Sequence, residues 1–370
     1  MCFFTSDYST IKEKSIYGRY ITYDHISSLL KKLDARFRVA EIGKSVKGVA
    51  IDCIDFGSGP TKILMWSQMH GNESTTTKAV FDVLNFIKSE NSAAQEILKN
   101  CTIRIIPMLN PDGAAAYTRV NANGIDLNRD AQDLSQPESS ILRNTYTDFQ
   151  PNFCFNLHDQ RTMYNVGESD KSATVSFLAP AFNQERDISS SRLKAMLLIN
   201  KMNKVLQELI PGQVGRYDDA FNANCVGDTF QLLETPTVLF EAGHFPDDYE
   251  RERTREFICI ALLEGIAAAM QIGHTPKLSE SHYYEIPENG KRFYDILIKN
   301  PIYFDMAYDK GVVLGIRYEE NLIEDKIQFE GKLEALFGEG HFLGHHIYDC
   351  SIEDELQILK KQSFFSKLLS

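Results

Sequence analysis

Ile63-Leu64-Met65-Trp66 runs directly into Ser67-Gln68-Met69-His70-Gly71-Asn72-Glu73-Ser74-Thr75-Thr76-Thr77-Lys78. The first four residues read as a strand buried on both faces, because a short continuous apolar run leaves no face for water. A histidine and a carboxylate come next, three residues apart, and polar groups placed there need water or a partner. The end of such a strand is where an α/β sheet gathers the groups that meet a ligand.

On either side of this stretch, apolar runs at 62–68, 102–109, 153–157, 174–179 and 237–241 alternate with helix-period stretches near 74–99, 138–148, 187–209 and 248–270. Strands alternating with helices predict an α/β fold, a mixed and largely parallel sheet flanked by helices. Ahead of them stand a helical stretch at about 24–34 and a hairpin with strands at 37–42 and 49–56. Its turn contains Gly43-Lys44-Ser45, which is not a phosphate loop, because Arg38 stands where that motif needs a glycine. Composition changes at 273–280, which reads as a linker, and beyond it lie short alternating segments near 282–286, 311–318, 325–336 and 341–349. The expected organisation is a catalytic unit over 1–274 and a small β-rich domain over 275–370. That domain is expected to fold separately and trim access to a cleft, so that a chain ending near 275 keeps a folded core.

The 370 residues are 43% apolar and 24% charged, enough to bury a large core. A formal charge of −12 excludes nucleic acid and anionic membrane as partners, since no run of basic residues offsets it. Cysteines at 2, 53, 101, 154, 225, 259 and 350 form neither a CxxC pair nor a disulfide spacing. With no signal peptide and no stretch of eighteen apolar residues, the expected location is the cytoplasm.

His70, His158 in Phe155-Asn156-Leu157-His158, and Glu241 in Val238-Leu239-Phe240-Glu241 all fall at predicted strand ends. With Glu73 they bring two imidazoles and two carboxylates to one edge of the sheet. His, Glu and His with one open position is a known ligand set of hydrolytic zinc, so His70, Glu73 and His158 are the predicted ligands of one Zn2+ per chain. A liganding imidazole needs an acceptor for its other N–H, and Asp126 is the candidate for His70.

The same residues resemble the zinc carboxypeptidase family of the carboxypeptidase A type. The likeness spans roughly 18–270: His70-Gly71-Asn72-Glu73, Asn110-Pro111-Asp112-Gly113, Arg119 with Asp126-Leu127-Asn128-Arg129, His158, and Glu241, in that order. It implies that Glu241 is the general acid and base, that Arg119 stabilises the oxyanion, and that Asn128 and Arg129 hold the substrate's terminal carboxylate. The implied activity is hydrolysis of C-terminal amide bonds of peptides. Three positions depart from the family: Gly48-Val49-Ala50, Asn72 in place of a substrate-side arginine, and Asp130 after Asn128-Arg129. The family's mobile tyrosine is not assigned; Tyr217, Arg216 and Asp218 are comparably placed. The competing readings are an N-acyl amino acid amidohydrolase of the aspartoacylase or succinylglutamate desuccinylase kind, and a muropeptide hydrolase. In each, the partner is a peptide or small acyl-amino acid with a free carboxylate.

Three other features have plainer readings. Asn110-Pro111-Asp112-Gly113 is expected to be a simple turn, His244 an ordinary loop histidine, and His341, His345 and His346 a polar strand or turn.

Overall fold

Alternation along one strand decides how the sheet is clothed. In β3 (Thr61–Ser67), Ile63 and Met65 enter an apolar cluster with Ala79, Val83, Ile258 and Leu262, while Leu64 and Trp66 enter another with Leu142, Phe149 and Phe230. Successive side chains of a strand face opposite ways, so a strand apolar throughout must be covered on both sides. The computed structural model describes residues 7–272, 281–338, 340 and 342–369.

In chain order the elements are α1 (Tyr23–Leu30), β1 (Arg38–Lys44), β2 (Ala50–Gly57), β3, α2 (Thr75–Lys88), α3 (Ser92–Asn100), β4 (Cys101–Ile106), α4 (Pro111–Ala116) and α5 (Pro137–Phe149). Then come β5 (Phe153–Asp159), β6 (Asn165–Val166), β7 (Val175–Leu178), α6 (Ser190–Leu209), β8 (Val214–Arg216), α7 (Val226–Leu232), β9 (Thr237–Ala242) and α8 (Glu252–Ile272). Eight of these strands form a sheet in the order β1-β2-β4-β3-β5-β9-β7-β8. The centre, β4-β3-β5-β9, is parallel; β1, β2 and β7 join antiparallel. This is the mixed, largely parallel sheet flanked by helices that the sequence predicts. The buried ion pair Asp82–Arg255, 2.6 Å, ties α2 to α8 on one face.

The C-terminal part adds α9 (Ser281–Tyr284), β10 (Asn289–Gly290), β11 (Phe293–Lys299), β12 (Val312–Ile323), β13 (Lys326–Gly338), β14 (Leu343–Asp349) and α10 (Glu353–Lys360). Its sheet, β13-β12-β11-β14, has an apolar cluster of its own around Ile296, Leu314, Leu356 and Leu359. Tyr283 and Ile286 belong instead to the main core, and β10 pairs with β6 of the larger unit. The linker expected at 273–280 lies outside the described residues. Among the described residues no helix is long and apolar enough to cross a membrane.

Several local expectations change. The stretch at 74–99 is two helices, because the Asn91 side chain accepts from Ala93 N at 2.8 Å and starts a new one. The segment at 282–286 is helix and turn, with the buried Tyr283 hydroxyl accepting from Ala179 N at 3.1 Å. Asn110-Pro111-Asp112-Gly113 opens α4 instead of forming a simple turn: Asn110 caps Gly113 N at 2.8 Å and proline fills the first helical position. β11 was not foreseen, because Asp295 interrupts its apolar run; that carboxylate is buried and accepts from the Tyr249 hydroxyl and Tyr318 N.

Candidate active site

His70 is aimed by the turn that leaves β3. Gln68 adopts a left-handed φ of 50° there, held by bonds from its Nε2 to Ile21 O and Gly71 O and by the Thr77 hydroxyl on its Oε1. Gly71 is obligatory for a spatial reason: a Cβ on it would lie 1.9 Å from the backbone of Gly113. Two motifs far apart in sequence, His70-Gly71-Asn72-Glu73 and Asn110-Pro111-Asp112-Gly113, are therefore packed backbone to backbone. Asp112 extends the support by accepting from the Ser45 hydroxyl and Lys47 N, both at 2.9 Å, which fixes the Gly43–Gly48 turn.

His158 is the next-to-last residue of β5, which lies beside β3, and Glu241 on β9 is its direct partner in register. His70 Nδ1 lies 2.8 Å from Glu73 Oε1, His158 Nδ1 2.9 Å from Glu73 Oε2, and the two Nδ1 atoms 3.1 Å from each other. His70, Glu73 and His158 form the one such donor group among the described residues, with all ligand atoms within 4.8 Å of one another. Edges of a zinc tetrahedron with bonds of about 2.0–2.1 Å are about 3.3 Å, so the group needs little adjustment to fit that ion. Both Nδ1 atoms and both Glu73 oxygens turn towards one another, a cluster of lone pairs that suits a cation.

Asp126 sits where the sequence places it. Its Oδ1 accepts from His70 Nε2 at 3.0 Å and Asn128 N at 2.9 Å, and its Oδ2 from Arg119 Nε at 3.0 Å. Burial works to raise the Asp126 carboxyl, but the bond to His70 and the charges of His70 and Arg119 outweigh it and hold the group below the ordinary range. With Nε2 committed to donation, the Nδ1 lone pair of His70 is free to bind a metal. His158 lacks the equivalent support: its buried Nε2 has no partner among the described residues.

Arg119 also reaches Glu73 Oε1, at 3.3 Å. Asn128 Oδ1 accepts from Val226 N at 3.1 Å, fastening the start of α7 and leaving its amide N–H groups to the cleft. Arg129 is exposed, with Nη1 on Asn128 O at 2.8 Å. Glu241 is 8% exposed, and its Oε2 has no partner among the described residues. Burial, reinforced by the Glu73 and Asp159 carboxylates, pushes its carboxyl well above the ordinary range, against the pull of Arg119 and Arg251.

The predicted site residues other than Asp126 all line one cleft of about 1280 Å3. Sequence reasoning missed much of its wall. Tyr217, left unassigned, lines it beside Tyr164, to whose hydroxyl it donates at 2.6 Å. Asp228 lines it too, its carboxyl raised from 3.8 to about 7 chiefly by burial. From the C-terminal sheet come Arg317–Asn321 of β12 and Lys332–Glu334 of β13. Glu320 of that wall accepts from Tyr117 and pairs with the buried Arg19 at 3.1 Å. His244, by contrast, is buried away from the cleft against His345 and Tyr249. His345 and His346 lie on β14, and His341 is outside the described residues.

Residues 22–188 match the family model for zinc carboxypeptidase. Carboxypeptidase SOL1 of Arabidopsis thaliana is 28% identical over 211 residues, which are 47% of this chain and 43% of that protein. The human carboxypeptidase N catalytic chain is 29% identical over 144 residues, 32% of this chain and 31% of its own length. This chain thus spans less than half the length of these curated relatives. Among solved structures, carboxypeptidase A of Helicoverpa armigera superposes with a TM-score of 0.56 at 18% identity, covering 74% of this chain and 78% of that one. Thrombin activatable fibrinolysis inhibitor gives 0.56 at 12% identity, covering 71% and 77%. At these identities the superpositions speak for the fold.

Proposed function

We propose, from the match of residues 22–188 to the zinc carboxypeptidase family model, that this chain is a metallocarboxypeptidase that removes the C-terminal residue of peptides. The observation that carries this reading is the convergence of His70, Glu73 and His158, with Glu241 in register beside His158 and Arg129 in the same cleft. His70, Glu73 and His158 would hold the zinc, whose chemistry when bound is to polarise a carbonyl and acidify a water.

The protein's own groups do the rest. Asn128 and Arg129 bind the substrate's terminal carboxylate, a planar guanidinium matching it in bidentate fashion, and this clamp selects the last peptide bond. Arg119, fixed through Nε by Asp126, presents its remaining N–H groups to the oxygen on which negative charge develops. Glu241 takes the water's proton at Oε2, the oxygen free of protein partners, and hands it to the leaving amine. Its position on β9 keeps it off the ligand set while leaving it within the cleft. Glu241 lies beyond the matched residues 22–188, so its role rests on this geometry.

A cleft of about 1280 Å3 exceeds the roughly 300–1,000 Å3 of small-molecule pockets, which favours a peptide over an N-acyl amino acid. Cys53, Cys101, Cys154, Cys225, Cys259 and Cys350 are free thiols, the form a reducing cytoplasm keeps. The decisive assay gives zinc-loaded protein N-blocked dipeptides, their C-terminal amides, N-acyl amino acids and γ-glutamyl-diamino acid peptides. Cleavage of the free-acid dipeptides alone is expected; equal turnover of the amides would overturn the exopeptidase reading.

A further inference from the structure

Arg19, Arg119, Arg129, Arg161, Arg317 and Lys332 line the cleft, and most of these cations are already neutralised. Arg19 pairs with Glu320, Arg119 with Glu73 and Asp126, Arg317 with Glu334, and Lys332 with Glu319 at 2.6 Å. Among the described residues, Arg129 and Arg161 are left without a carboxylate partner. Arg129 serves the terminal carboxylate; Arg161 serves no step of the reaction.

We propose that Arg161 is a second carboxylate-recognising residue, and that preferred substrates carry an acidic side chain on the N-terminal side of the scissile bond. The inference rests on the carboxypeptidase reading, which fixes how a peptide lies. Arg129 is grouped with Asn128, and Asn128 with Val226, at the start of α7. From Asn128 the contacts run through Asp126 to His70 and Glu73, then to the Asp159 backbone N–H on Glu73 Oε2. Arg161 follows Asp159 by two residues, just past the end of β5, and lines the same cleft. A chain with its terminus on Arg129 and its last amide at the ligand group therefore continues towards Arg161.

The backbone that carries Arg161 is held on both sides: Gln160 N donates to Ala242 O, Gln160 O accepts from the buried Arg251 at 2.9 Å, and Thr162 O accepts from His345 Nε2 at 2.8 Å. His345 is itself stacked on Phe293, ring centroids 4.3 Å apart, so the C-terminal sheet holds the backbone just after Arg161. Fixing the backbone beforehand lowers the ordering cost of binding. Glu320, another charged group of this wall, already pairs with Arg19 and accepts from Tyr117. The net charge of −12 does not forbid an acidic ligand, since charges beyond about 8–10 Å are screened at physiological salt.

The test measures binding by calorimetry on zinc-loaded Glu241→Gln protein, which does not consume its ligand, using N-acetyl-Glu-Leu against the isosteric N-acetyl-Gln-Leu. The expected preference for the glutamyl peptide is about three- to tenfold, the range for one charge-assisted contact in a partly open cleft. Adding Arg161→Gln should bring the two peptides within about twofold of each other, and Arg161→Lys should keep part of the preference. Because Arg161 is exposed, these variants are expected to fold. Equal affinities without the Arg161 change, or a preference that survives Arg161→Gln, would overturn the proposal while leaving hydrolysis of blocked dipeptides intact. Failure of the carboxypeptidase reading looks different: the zinc-loaded unsubstituted protein then cleaves none of the blocked dipeptides.

Discussion

Removing the Asp126 carboxylate should uncouple three parts of the site at once. In Asp126→Ala, His70 Nε2, Asn128 N and Arg119 Nε all lose an acceptor at 2.9–3.0 Å. Loss of the acceptor behind a liganding imidazole typically weakens metal binding 10–100-fold, which is about 1.4–2.7 kcal/mol. Because His158 Nε2 has no such acceptor to share the task, the upper half of that range is expected. Asp126→Asn separates the effects. Its remaining oxygen can still serve His70 and Asn128, but its amide N–H2 then faces Arg119 Nε, donor against donor. Zinc affinity should stay within several-fold of the unsubstituted protein while kcat falls, because Arg119 is displaced from the oxyanion position. Competition titration against a chelating indicator reads the affinity, with circular dichroism to confirm folding. If Asp126→Ala binds zinc within about threefold of the unsubstituted protein, Asp126 does not orient His70 and the three groups are not coupled through it.

Glu241→Gln should retain zinc and substrate while kcat drops by roughly 10² or more, the scale of general acid-base contributions; unchanged kcat would remove Glu241 from the chemistry. Arg129→Ala should mainly raise KM for free-acid peptides and hardly affect amidated ones, and an equal loss on both would refute the carboxylate clamp. Ending the chain after 272 takes Tyr283 and Ile286 from the main core and strips Glu320 from the buried Arg19, so thermal unfolding should show a loss of several kcal/mol. A truncated protein that melts like the full chain would show the two parts to be independent. Asp228, raised from 3.8 to about 7 by burial, keeps its proton in the folded state after the unfolded state has lost its own, so it costs stability increasingly as pH rises from about 4 to 7. Asp228→Asn should therefore gain about 2–4 kcal/mol on the unsubstituted protein between those pH values, with no further gain above. A stability gap identical at pH 5 and pH 8 would contradict this.

Much of the site was legible because its residues sit at the ends of strands that announce themselves. A run such as Ile63–Trp66 is long enough and apolar enough to be a buried strand wherever it lies, and the residues after it must emerge at the sheet edge. His70, Glu73, His158 and Glu241 could be grouped on that ground, and the structure brings them to one cleft. Asp126 was found from chemistry, as the acceptor an imidazole requires.

The features that escaped the sequence depend on contacts between segments far apart in the chain. Nothing in Phe293-Tyr294-Asp295-Ile296 marks Asp295 as the buried acceptor of Tyr249 and Tyr318, and so β11 was lost from view. Gly71 is set by the approach of Gly113, a distance no local pattern encodes. Whether Arg161 is paired or free depends on where Glu320, Arg19 and Tyr117 meet. Periodicity and strand-end position are local properties, so the sheet, its helices and the grouping of His70, Glu73 and His158 could be read from the chain alone. Charge pairing, close backbone approach and the cleft wall formed by β12 and β13 are relations between through-space neighbours, and those neighbours exist only once the chain has folded.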